Sequence, residues 1–155
     1  MKKDSKLSSV LHVLLHMAHN ERPLTSDELA LYLGTNPVVV RRVLGSLRDS
    51  GYVASVKGHG GGWSIACDLH TVTLLDVYHA VGSPSIFAMA NRMDQTVCLV
   101  EKVVNSALDE AFQEAEALLI NRLGDVSLAD LAKNFSQQMK ALKQTPDSAY
   151  QCANK

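Results

Sequence analysis

Thr25-Ser26-Asp27-Glu28-Leu29-Ala30-Leu31-Tyr32-Leu33-Gly34-Thr35-Asn36-Pro37-Val38-Val39-Val40-Arg41-Arg42-Val43-Leu44-Gly45-Ser46-Leu47-Arg48 reads as two short helices meeting at a tight corner. Thr25 and Glu28 have the spacing of a capping box, in which each side chain satisfies a backbone N–H left free at a helix start. Leu24 and Leu29 sit where a hydrophobic staple closes across that start. Leu29, Ala30 and Leu33 face inward, and Gly34 can take the left-handed conformation that ends a helix. Asn36 is a good N-cap, and Pro37 suits the first helical position, where its missing N–H costs nothing. Val40, Val43, Leu44 and Leu47 then form a buried stripe at helical spacing, and Gly51 stops it. Two capped helices joined through Gly34-Thr35-Asn36 have the spacing of a helix-turn-helix. Pro37, Val38, Val39, Arg41, Arg42, Gly45 and Arg48 are left off the stripe.

Outward from this stretch the pattern stays short-range. Upstream, Leu7, Val10, Leu11, Leu14 and Ala18 predict a first helix over about residues 7–19. Downstream, Tyr52 to Val56 and Trp63 to Ala66 read as short strands around Lys57-Gly58-His59-Gly60-Gly61-Gly62, which makes a wing. Four glycines in five residues exceed what a hairpin needs and suggest a backbone that must come close to something. Trp63 reads as wing core. Thr73 and Asp76 signal another helix start, running to Gly82. Residues 83–97 show no clean period.

From Leu99 to Leu123, Val104, Leu108, Ala111, Ala115 and Leu118 step by four and three, with Phe112 alongside. A helix of that length outruns a small winged-helix core, so its apolar face calls for another partner, and a second copy of the chain is the one expected. Ser127 caps a last amphipathic helix through Leu128, Leu131, Ala132, Phe135 and Met139. The expected organisation is a winged helix-turn-helix DNA-binding domain over 1–82, a helical dimerisation region over 83–143 and a flexible tail over 144–155. The expected fold class is mainly α with a small β wing.

Composition narrows the function. The chain has 155 residues, 46% of them apolar, which is enough for a core and excludes disorder and collagen-like repeats. No apolar run has the roughly 18 residues of a membrane span, and no signal-peptide pattern opens the chain. Cys67, Cys98 and Cys152 are too scattered for a disulfide framework, so a reducing, cytoplasmic setting is expected. The net charge of −1 conceals an asymmetry. Residues 1–66 carry eight Lys/Arg against five Asp/Glu, and residues 67–155 carry seven against eleven. A basic first half points to a polyanion. No phosphate-binding glycine loop and no nucleophile–base–acid set is evident, so no enzyme is expected. His12 and His16 have a zinc-compatible spacing but no obvious third ligand.

A recognition helix enters the major groove by its N-terminal turn. Asn36, Pro37, Val38, Val39, Arg41, Arg42 and Arg48 are therefore candidate DNA contacts, and Arg41 or Arg42 can reach guanine or phosphate. Lys57, His59 and Gly60 extend the candidate surface into the wing. The alternative is a winged-helix module that binds protein and not DNA.

Leu33 to Leu44, Leu47 to Val53, Ser55 to Trp63 and Thr73 to Val77 together resemble the Rrf-two family of bacterial winged-helix transcription regulators. Asn36-Pro37-Val38-Val39-Val40-Arg41-Arg42, Tyr78-His79-Ala80-Val81 and Asn105 to Phe112 are most similar to its YwnA-like branch. The resemblance covers about residues 7–135. It implies a homodimer on an inverted repeat of double-stranded DNA, recognition helices in successive major grooves and the long helix crossing its mate. It places base contacts at Val38, Val39 and Arg41 and wing contacts at Lys57, His59 and Gly60, although relatives often carry proline where His59 stands. Iron–sulfur members hold three cysteines before the dimer helix, where this chain has only Cys98, so no such cofactor is expected. Cys98 is instead a candidate redox or electrophile sensor, because the start of a helix, helped by Lys102, favours a thiolate. Its other reading is a small buried apolar residue. Control by a partner protein, as in some relatives, is a further alternative.

Overall fold

A computed structural model describes residues 6–86 and 98–143 of the chain. Its elements are α1 (Lys6–His19), α2 (Ser26–Leu33), α3 (Pro37–Asp49), β1 (Val53–Val56), β2 (Gly62–Ile65), α4 (Leu74–Ala80), α5 (Leu99–Gly124) and α6 (Leu128–Lys143). The mainly helical class with a small two-stranded wing is as expected. Residues 87–97, within the stretch read as irregular, and the tail from 144 lie outside the described residues.

The helix starts are built as their sequences specify. Thr25 Oγ1 accepts from Glu28 N, and the Glu28 carboxylate accepts from Thr25 N at 2.8 Å. Thr73 and Asp76 repeat the arrangement at α4, and Ser127 and Asp130 at α6. Gly34 takes φ 59° and ψ 38°, and its N–H closes the end of α2. Asn36 Oδ1 accepts from Val38 N at 2.8 Å, with Pro37 in the first turn. α4 stops at Ala80, two residues short of the expected Gly82, which follows with φ 92°.

One core gathers the inward face of each element. Val10, Val13, Leu14 and Met17 of α1 meet Leu24, Leu29 and Ala30, then Val40, Leu44 and Leu47 of α3, and Val53, Trp63 and Val77. Val43, read into the stripe, is only partly buried at its edge. β1 and β2 pair antiparallel, Val53 opposite Ile65 and Val56 opposite Gly62. Leu24 and Trp63 exchange backbone hydrogen bonds of 3.0 and 2.8 Å, which ties the wing to the start of α2. Trp63 is indeed core, and its indole N–H donates to Ser26 Oγ at 3.0 Å.

α5 departs from this pattern. None of its 26 residues is buried. Its C-terminal end is fastened to the core: Leu74 N donates to Val126 O, Leu128 N donates to Val72 O, and the Leu128 side chain joins the core cluster. α6 then runs back along α1.

Candidate nucleic-acid interface

The candidate site is the outer face of α3 together with the wing. The buried Val40-Leu44-Leu47 row turns Val38, Val39, Arg41, Arg42, Ser46 and Arg48 outward, all exposed. Asn36 is exposed and Pro37 partly so. Among the described residues, the ion pairs join Arg22 to Glu28, Arg48 to Asp49 and Arg122 to Asp125. None takes up Arg41 or Arg42. Arg48 meets its neighbour Asp49 at 3.3 Å, a weak tie on an exposed surface. Lys57, His59 and Gly60 are exposed in the loop between β1 and β2, and β1 packs against α3.

The wing glycines find their reason inside the molecule. Gly58 and Gly60 have φ 98° and 75°, a left-handed backbone that other residues rarely adopt. A Cβ on Gly61 would lie 2.2 Å from Val56 O, and one on Gly62 would lie 2.7 Å from Leu24 O. The backbone they approach is therefore the chain's own, and their number is no argument for a ligand. Gly45 is the opposite case. It sits within α3, half-exposed, and a Cβ there would meet nothing within 4 Å. Glycine inside a helix costs about 1 kcal/mol relative to alanine, and nothing in the fold asks for it. The sequence pattern puts Gly45 off the stripe without giving it a role. A mid-helix glycine between arginines was the available signal.

The other candidates separate. Val104, Leu108, Ala111, Ala115 and Leu118 are exposed along α5, while Phe112 is partly buried. Leu99, Val100, Val103 and Leu119 extend the exposed apolar surface. Cys98 is the N-cap of α5 and is exposed in the single chain. Cys67 is half-buried beside Met17, Asn20, Arg22 and Leu69, and burial pushes its thiol up. His12 and His16 meet Nε2 to Nε2 at 2.9 Å, and His16 stacks on Tyr32 with centroids 4.0 Å apart. Burial first, then His12 and His19, hold His16 below the ordinary histidine value.

A helix-turn-helix with a wing and an exposed arginine-bearing second helix matches a known family profile. The profile, Rrf2, described as an iron-dependent transcriptional regulator, matches residues 3–134. The chain belongs to the Rrf2 family. YwnA of Bacillus subtilis (strain 168), provisionally named an HTH-type transcriptional regulator, is 31% identical over 132 residues, covering 85% of this chain and 98% of YwnA. A crystal structure provisionally titled a DNA-binding protein is 31% identical, with a TM-score of 0.63 over 82% of this chain and 98% of its own. A provisionally titled transcriptional regulator from Lactobacillus plantarum has the same fold, with a TM-score of 0.69 at 24% identity over 92% of this chain and 97% of its own. Among the described residues no helix is long and apolar enough to cross a membrane.

The description of Rrf2 names iron, so the donors bear on it. Cys67 lies behind the wing, Cys98 heads α5, and Cys152 falls outside the described residues. No three His, Cys, Asp or Glu side chains cluster as metal ligands among the described residues. That donor set does not suit a cluster held by three thiolates.

Proposed function

We propose that the protein is a sequence-specific DNA-binding repressor that works as a homodimer on an inverted-repeat operator. The observation that carries this reading is the outer face of α3, where Arg41 and Arg42 stand exposed, outside the ion pairs of the described residues, on the second helix of a helix-turn-helix. α3 reads bases from Val38, Val39 and Arg41, while Arg42, Arg48, Lys57, His59 and Gly60 hold the backbone. The exposed apolar row of α5 supports dimerisation, since seven large apolar side chains of one helix stand in water in the single chain. Repression by occupancy of the operator is the regulatory sense of the proposal.

The exposed position of Cys98 supports a thiol sensor. The Cys98 sulfur would attack one oxygen of hydrogen peroxide, breaking the O–O bond to leave a sulfenic acid and one water, and this change at the head of α5 would release DNA. No release by peroxide or electrophile, or release unchanged in Cys98→Ser, removes this part of the proposal.

The test of DNA binding is selection of bound sequences from random duplexes at two salt concentrations. The expected outcome is an inverted repeat with half-sites about one helical turn apart and affinity falling steeply with salt. Failure to enrich any repeat overturns the proposal.

A further inference from the structure

With α3 taken as the recognition helix of a DNA-binding regulator, its outer face is more particular in composition than that role requires. Its first turn is Pro37-Val38-Val39. Val38 is 56% exposed and Val39 44%, and neither side chain has a donor or acceptor. Beside them, Asn36 has its Oδ1 engaged by Val38 N. The leading turn therefore presents hydrocarbon to whatever it meets. In the major groove the apolar group on a base edge is the C5-methyl of thymine. Charged readers begin only one turn later, at Arg41. Two turns beyond Val38, on the same side, Gly45 leaves the surface of α3 without a side chain, in space that the fold leaves open.

We infer that α3 reads thymine by its methyl group, an inference that rests on the proposed DNA-binding role of α3. Val38 and Val39 pack on the C5-methyls of one or two thymines in each half-site, and Gly45 lets the helix lie deep enough in the groove for that contact. A cytosine at the same place has no methyl, and its N4 amino group finds no partner on the valines, as the O4 of thymine finds none. Discrimination then comes from the lost apolar contact.

The experiment uses the full chain and the duplex recovered by selection, with each thymine replaced in turn by deoxyuridine. This removes only the methyl and leaves base pairing intact. At one or two positions per half-site, affinity for the wild type should fall about fourfold for each buried methyl lost. The double variant Val38→Ala, Val39→Ala should bind the thymine and uridine duplexes alike, and both sites are exposed, so its circular dichroism should match the wild type. Uridine without effect at every thymine of a duplex that is otherwise bound overturns the inference and leaves the DNA-binding reading standing. So does a double variant as sensitive to uridine as the wild type. If no duplex is enriched, the DNA-binding reading fails and takes the inference with it.

Discussion

Gly45 and Gly62 show how differently one residue type can serve a chain. Gly45→Ala should raise stability by about 1 kcal/mol in thermal or urea unfolding, because the added methyl meets open space and improves helix propensity. The same substitution should weaken binding to the selected duplex, and a purely structural residue would not move the two measurements in opposite directions. Gly62→Ala should destabilise, since its Cβ would press on the Leu24 carbonyl oxygen. Arg41→Ala should relax selectivity at one base position in a repeat selection, whereas an affinity lowered evenly for all sequences would move Arg41 to the phosphate contacts. Sequence spacing alone put Asn36, Pro37 and the α3 arginines on the surface, because capping and period are local rules. It read a close backbone approach from the wing glycines without naming what they approach, since the nearness of Gly62 to Leu24 joins residues far apart along the chain and leaves no local trace.

Among the elements, the junction of α1, α2 and α6 is the one whose stability responds to pH below neutrality through a histidine. His16 of α1 lies against Tyr32 of α2, shares a hydrogen bond with His12, and has Phe135 of α6 at its edge, while His19 also meets Phe135. Two protonated rings cannot keep the His12–His16 hydrogen bond, since both nitrogens would then be donors. The folded chain holds His16 below its ordinary value of 6.5, so the unfolded chain takes up the proton first. Stability is therefore fully present above about pH 6.5 and declines as the pH falls below it. Glu28, held at about 2 first by Arg22 and then by Thr25, adds a second decline only between its ordinary 4.5 and that value. Unfolding midpoints measured from about pH 8 to 5 should fall in the wild type and stay flatter in His16→Gln. Thr25→Ala should cost about 1 kcal/mol at neutral pH through the lost cap. The caps were readable because their partners are three residues apart. The histidine stack was not, because Tyr32 reaches His16 only once α1 and α2 have packed.

For the whole molecule, the long exposed α5 is the feature that the single chain leaves unexplained. A charge at its middle, Leu108→Glu, should shift sedimentation from dimer to monomer and lower affinity for the inverted repeat, with the helical content unchanged. A variant that stays dimeric with full affinity would move the interface elsewhere. The period of α5 was legible, as was its excess length over the core. Its attachment was not, because the pairing of Leu74 with Val126 and of Val72 with Leu128 depends on tertiary contacts.

That attachment makes α5 a lever. Its fixed end lies where α5 meets α4 and the chain turns into α6, and Cys98 stands at the opposite tip. At 1.5 Å per residue the arm is about 39 Å long, so a tilt of about 5° at the pivot swings the tip by roughly 3 Å. In the proposed dimer, where two such arms would cross, the angle between them would set how far apart the two α3 helices stand. An event at the tip that changed this angle by a few degrees would then alter the fit of both heads to one face of a duplex, without touching either one.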